Sequence, residues 1–172
     1  MKKVFFIIAL FVSASVAAQG QFQNESAGMI TQTAGKIMQL ADAVPADKYN
    51  WSPEDDVRSF SGVFYHVVSA NYFFATKLGA TLPDGVNMET LEQDLKTKGD
   101  ITPALKQSTD LITEAIKNVN DDALATKVEF PFPGDYTNTT AVLIALSHCN
   151  EHLGQLIAYS RMNGITPPWS QK

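Results

Sequence analysis

A single cysteine, Cys149, rules out any intrachain disulfide, whatever the redox state of the surroundings. Runs of basic residues are absent beyond the pair Lys2-Lys3. Thirteen Lys and Arg against eighteen Asp and Glu leave a formal charge of −5. That balance argues against a nucleic acid or an anionic membrane surface as partner. No apolar run after the first twenty residues is long enough to cross a bilayer. Several catalytic signatures are also missing: HExxH, GxSxG, a Gly-rich phosphate loop and a paired-carboxylate motif. The nearest approach to the first is His148-Cys149-Asn150-Glu151-His152, where the second position is Cys and the Glu comes fourth.

The N-terminus has a basic start (Lys2, Lys3), an apolar run from Val4 to Val12, and small residues up to Ala17 and Ala18. This is the layout of a secretory signal peptide, with cleavage after one of those alanines. Residues 1–18 are therefore expected to be the signal, and 19–172 one domain of ordinary size. The mature protein would be exported, periplasmic or secreted, with no membrane association after cleavage. Losing Lys2 and Lys3 would make it more acidic still.

Four long helical patterns follow, spaced by turn signals. The first runs from about Asn24 to Ala43, ahead of Pro45. The second runs from Ser59 to Leu78 and stops at Gly79; either Ser52, before Pro53, or Ser59 is its cap. A turn at Leu82-Pro83-Asp84-Gly85 and a short helix from Asn87 to Lys96 lead to the third, which opens at Thr102-Pro103 and reaches Val119. An irregular insertion holds a strand-like run from Thr126 to Phe130 and a turn at Pro133-Gly134. The last helix extends from Asn138 or Thr139 to Met162 and ends before Asn163-Gly164 and Pro167-Pro168. The expected fold is all-α, a four-helix bundle with one short extra helix and an insertion before the final helix.

The histidines are few and concentrated. His148 and His152 are four apart in the last helix and project from one face. At about 100° per residue they fall on the flank of a stripe made by Val142, Leu146, Cys149, Leu153, Leu156 and Ile157. Gln155, Tyr159 and Ala141 share their face. His66 takes the matching flank of the second helix, with the small residues Gly62 and Ala70 one turn to either side. Three imidazoles supply a divalent metal and leave at least one position open, as catalytic sites require. Gln155 is the best-placed residue to orient an imidazole, with Asn71 and Tyr159 weaker choices. Glu151 points about 100° from His152 and is better read as a solvated residue than as a general base. Cys149 reads as a buried, inert thiol. Phe130, Phe132, Tyr136 and Trp169 read as core or contact residues, with a pocket mouth as the alternative.

The last-helix segment His148-Cys149-Asn150-Glu151-His152-Leu153-Gly154-Gln155-Leu156, followed by Tyr159, Arg161, Gly164 and Pro167-Pro168, resembles the closing signature of DinB-like proteins. Trp51, Arg58-Ser59-Phe60 and His66 resemble an earlier one. The resemblance covers about Asn24 to Trp169. It implies an up-down-down-up bundle and a three-histidine metal site on His66, His148 and His152. It also implies a divalent ion such as zinc or nickel and a tendency to form homodimers. Relatives include thiol transferases and proteins described as metal-dependent hydrolases. The signal peptide is a departure from the commoner members, as is Leu153 where many carry a basic residue. The expected function is thus metal-dependent hydrolysis or thiol transfer on a small molecule, and the alternative is a non-catalytic module that binds a metal or small ligand.

Overall fold

A computed structural model describes residues 20–170; the expected signal peptide lies outside them. Four long helices dominate: α1 (Gln21–Ala43), α2 (Phe60–Lys77), α4 (Lys98–Lys117) and α5 (Asn138–Met162), with α3 (Leu91–Asp94) a single turn. The region expected as a helix from Asn87 to Lys96 is thus mostly irregular. Only Leu91 is buried there, which is too little apolar surface to hold a longer helix. The strand-like run contracts to a two-residue antiparallel ladder, β1 (Lys127–Val128) with β2 (Tyr136–Thr137), in register Lys127 to Thr137.

Cap chemistry sets the helix limits. Ser59, not Ser52, caps α2: its Oγ accepts from the Gly62 amide at 3.2 Å. At the other end Gly79 takes φ +91°, and the amides of Gly79 and Ala80 return to the carbonyls of Thr76 and Ala75. That Schellman closure is repeated after α5 by Gly164, φ +71°, and Ile165. Helix α4 starts four residues earlier than Thr102. Thr97 and Asp100 form a reciprocal capping box, and Pro103 is carried inside the second turn. The lost Pro103 amide costs one hydrogen bond, which the two cap bonds of Thr97 and Asp100 offset.

The helices form a ring in which α1 and α2 each pack on both α4 and α5. The pairs α1 with α2 and α4 with α5 are therefore diagonal. Gln23 Nε2 donates to the Val119 carbonyl at one end of the bundle, and Lys98 Nζ donates to the Val44 carbonyl at the other; α1 and α4 are antiparallel. One core cluster joins Ile37 and Leu40 of α1, Phe60 and Phe64 of α2, Ile101 and Leu105 of α4, and Leu153 and Leu156 of α5. A second joins Ile30, Phe74, Ile112, Ile116 and Val142. The end of α1 thus meets the start of α2, the start of α4 and the end of α5, which makes the topology up-down-down-up. Because α2 and α5 are antiparallel neighbours, their middle turns face each other.

Ser59→Ala is expected to cost about 1 kcal/mol of stability by removing the α2 cap. Urea unfolding followed by circular dichroism measures it; an unchanged midpoint would show that the cap bond contributes nothing.

Candidate metal centre

The facing turns of α2 and α5 bring all three histidines together. Nε2 of His148 lies 3.0 Å from Nε2 of His66 and 3.1 Å from Nε2 of His152. The three ligand atoms fall within 4.8 Å of one another. His66 and His148 are half-buried, and His152 is buried. Their ring centroids are 4.4 to 4.9 Å apart.

A chain of hydrogen bonds sets the tautomer of His152. The Arg58 carbonyl can only accept, so the Tyr159 hydroxyl donates to it, at 3.1 Å. That hydroxyl accepts from Gln155 Nε2 at 2.9 Å. Gln155 is thereby turned so that Oε1 faces His152 Nδ1, at 2.8 Å. An amide oxygen accepts only, so Nδ1 carries the proton and Nε2 of His152 presents a bare lone pair to the cluster. Gln155 and Tyr159 thus both orient the imidazole. Asn71 does not, because its amide is used against Ser108 and Thr109 of α4.

These residues fit a metal. One proton can bridge one of the two short nitrogen contacts, and it leaves the remaining lone pair facing another nitrogen. A cation at the centre satisfies all three nitrogens. Zn–N bonds of 2.0–2.1 Å at tetrahedral angles place nitrogens about 3.3 Å apart, within a few tenths of the two contacts that His148 makes. The His–Gln–Tyr relay is the kind of outer hydrogen bonding that metal-bound histidines use.

Electrostatics favour the neutral, ligating form. Burial is the main cause that pushes His66 down to about 4, helped by the charges of Arg58 and His152 and opposed by Glu151. Burial likewise takes His148 to about 4, with His152, His66 and Arg58 adding to it. Glu151 is exposed and acts on His66 through its field, without a hydrogen bond to it among the described residues. Cys149 is buried, and burial raises its thiol to about 12. It is no nucleophile at neutral pH.

Three surroundings of the site differ from the sequence-based picture. Gly62 belongs to the first turn of α2 rather than its interior. A methyl group there would meet the Arg58 stem and the Ser59 hydroxyl at 3.4 Å, and no atom of His66 is among its nearest neighbours. The insertion folds back onto the cluster through aromatic rings. Phe130 packs on Phe73, Phe74, Phe132 and Tyr136, and Phe74 stands 6.1 Å from the His148 ring. Trp169 lies elsewhere, under Lys36. Arg58 carries the third difference; no periodic pattern marks it, because it precedes the helix. A cleft of about 330 Å³ beside Ser59, Gly62, Tyr65 and Lys96 contains none of the histidines.

The unfolded chain protonates its histidines near pH 6.5, while the folded one holds His66 and His148 neutral to about 4. Between those values the unfolded state binds more protons. The stability contributed by these two groups is complete above pH 6.5 and drains as pH falls toward 4. Thermal midpoints of chelator-treated protein are expected to drop over this window. The drop should be smaller in a His66→Gln, His148→Gln variant; equal drops would remove the histidines as the cause.

The DinB superfamily model matches residues 29–156. Among solved structures, the chain is similar to a DinB-like protein from Bacillus subtilis, at 19% identity and a TM-score of 0.66. That alignment covers 83% of this chain and 93% of the other. A DinB-like protein from Bacillus cereus aligns with a TM-score of 0.67 at 18% identity, over 80% and 90% of the two chains. A conserved protein from Enterococcus faecalis gives 0.61 at 13%, over 80% and 94%. No curated protein matches the sequence. At these identities the structures speak for the fold, and the family model, spanning both helices that carry the histidines, settles the lineage: this chain belongs to the DinB superfamily.

Proposed function

We propose that His66, His148 and His152 hold one divalent ion, zinc or nickel, and that the protein acts in the cell envelope or outside it as a metal-dependent hydrolase or thiol transferase on a small molecule. The observation that carries this reading is the convergence of three Nε2 atoms, with one lone pair aimed by the relay from Arg58 through Tyr159 and Gln155.

A divalent ion at such a site is a Lewis acid that lowers the pKa of a bound water or thiol toward neutrality. The chain's own groups supply the rest. His66 and His148 resist protonation down to about pH 4, so they remain ligands in mildly acidic surroundings. The buried ring of Phe74 stands beside His148, backed by Phe130, and keeps water from that side of the imidazole. Arg58 and Glu151 place one charge of each sign within electrostatic reach of His66.

Elemental analysis of untagged mature protein tests the reading. About one metal per chain is expected in the parent and almost none in a His148→Ala, His152→Ala variant. Equal content in the two, or none in the parent after incubation with Zn²⁺ or Ni²⁺, would refute it. Gln155→Leu is expected to weaken metal affinity by about 10- to 100-fold while leaving the fold intact; competition with a chromogenic chelator reads this directly. Turnover of ester and thiol substrates that is lost with chelator and regained with metal would separate an enzyme from a binding module.

A further inference from the structure

The guanidinium of Arg58 is, among the described residues, a cation without a counter-ion, on the segment that leads into the helix of His66. Among the described residues it has no ion pair and no side-chain hydrogen bond. Three acidic residues, Glu54, Asp55 and Asp56, precede it closely in the chain, yet none pairs with it. Its backbone is nevertheless well fixed. The Tyr159 hydroxyl of α5 donates to its carbonyl, and Ser59, the next residue, caps α2. The stem lies beside Gly62, whose built Cβ would stand 3.4 Å from Arg58 Cβ and 3.7 Å from Cγ. Gly62 is one helical turn before His66 on the same face, so the Arg58 stem runs along the face that carries the imidazole. The positive charge is felt by both His66 and His148.

We propose that Arg58 is the anchor for the anionic end of the substrate, and that the substrate is a small carboxylate whose reacting group lies at the histidine cluster. This rests on the metal-centre reading above. Arginine suits the task because its planar fork takes both oxygens of a carboxylate and stays charged at every relevant pH. Without a protein partner the fork is available to a ligand and loses no existing bond on capture. On the aromatic side Phe74 is buried and Phe130 lies under the Lys77 ammonium, 6.0 Å from its ring centroid; Lys77 is a point charge without the planar fork of Arg58. Glu151, on the α5 side, repels a second carboxylate. The arrangement therefore favours a ligand with one anionic end, oriented from Arg58 toward the histidines.

The experiment uses the mature chain loaded with Co²⁺, whose visible spectrum reports both metal binding and thiol ligation. Two probes are titrated, 3-mercaptopropionate and its uncharged amide. The acid is expected to bind about tenfold more tightly, the worth of one charge-assisted hydrogen bond. In R58Q the ratio should fall toward one with the Co²⁺ stoichiometry unchanged. The preference should persist in 0.5 M salt, where the long-range field of a surface charge is screened. Equal binding of acid and amide by the parent overturns the proposal. So does a preference that survives R58Q, which would mean that the carboxylate chelates the metal itself, or one that vanishes in salt. A parent that takes up no Co²⁺ overturns the metal-centre reading instead, and the anchor with it; the spectrum before any thiol is added distinguishes the two failures.

Discussion

The Tyr159 hydroxyl has one proton and two neighbours, and the chemistry of the site follows from where that proton goes. Its neighbour at 3.1 Å is a backbone carbonyl, which leaves no choice. Each link after it is then determined: the amide of Gln155 must donate to Tyr159, its oxygen must face His152, and His152 must be protonated on Nδ1. Tyr159 is itself buried, boxed between Trp51 at 5.4 Å and Phe60 at 5.5 Å. A buried hydroxyl left unpaired would cost about 1–3 kcal/mol, so packing and polarity enforce the same arrangement. The aromatic box is part of the main core, and through it the hydrophobic packing of the bundle fixes which nitrogen of His152 is free.

The diagonal arrangement of α1 with α2 and of α4 with α5 explains why the ligands come from α2 and α5. If α1 and α2 were a simple hairpin, and α4 and α5 another, the ring order would follow the sequence and α2 would have α1 as a neighbour. Here the extensive contacts between long helices all join the first pair to the second. This requires long connections, and the stretches between α1 and α2 and between α4 and α5 supply them. Those connections provide the rim of the site: Arg58 comes from the first, Phe130 from the second. The helices contribute the histidines, and the crossing segments contribute groups that can change without disturbing the core.

The helical period made the four long helices legible, and the last of them was placed almost to the residue. The histidine set was legible too, because two positions four apart share a face and there were no others to consider. Gln155 and Tyr159 follow from the same periodicity, three and seven residues beyond His152. The start of α4 was hidden by two competing signals. Pro103 looks like a first-turn proline, whereas Thr97 and Asp100 form the real cap. Beyond periodicity, the sequence is silent. The acceptor that directs the relay is a main-chain carbonyl 101 residues from Tyr159, and no residue type encodes it. Asn71 shared the helix with His66 but faces α4. Only the direction in which α2 packs could separate it from the site, and that is a tertiary fact.

The charge environment of the cluster carries a consequence that the ligand geometry alone does not. Arg58 disfavours a proton on His66 and on His148, and the same field disfavours a divalent cation between them. Glu151 offsets part of this on the His66 side. A negative group bound as proposed at the exposed guanidinium would remove this opposition. An anion beside Arg58 cancels its field at the imidazoles, so the anion and the metal each make binding of the other more favourable, by equal free energies. Burial discourages the charged form of these imidazoles without regard to what else is bound. The arginine's contribution is conditional on the ligand. On the proposed reading, the metal would therefore be held most tightly when a carboxylate ligand is in place.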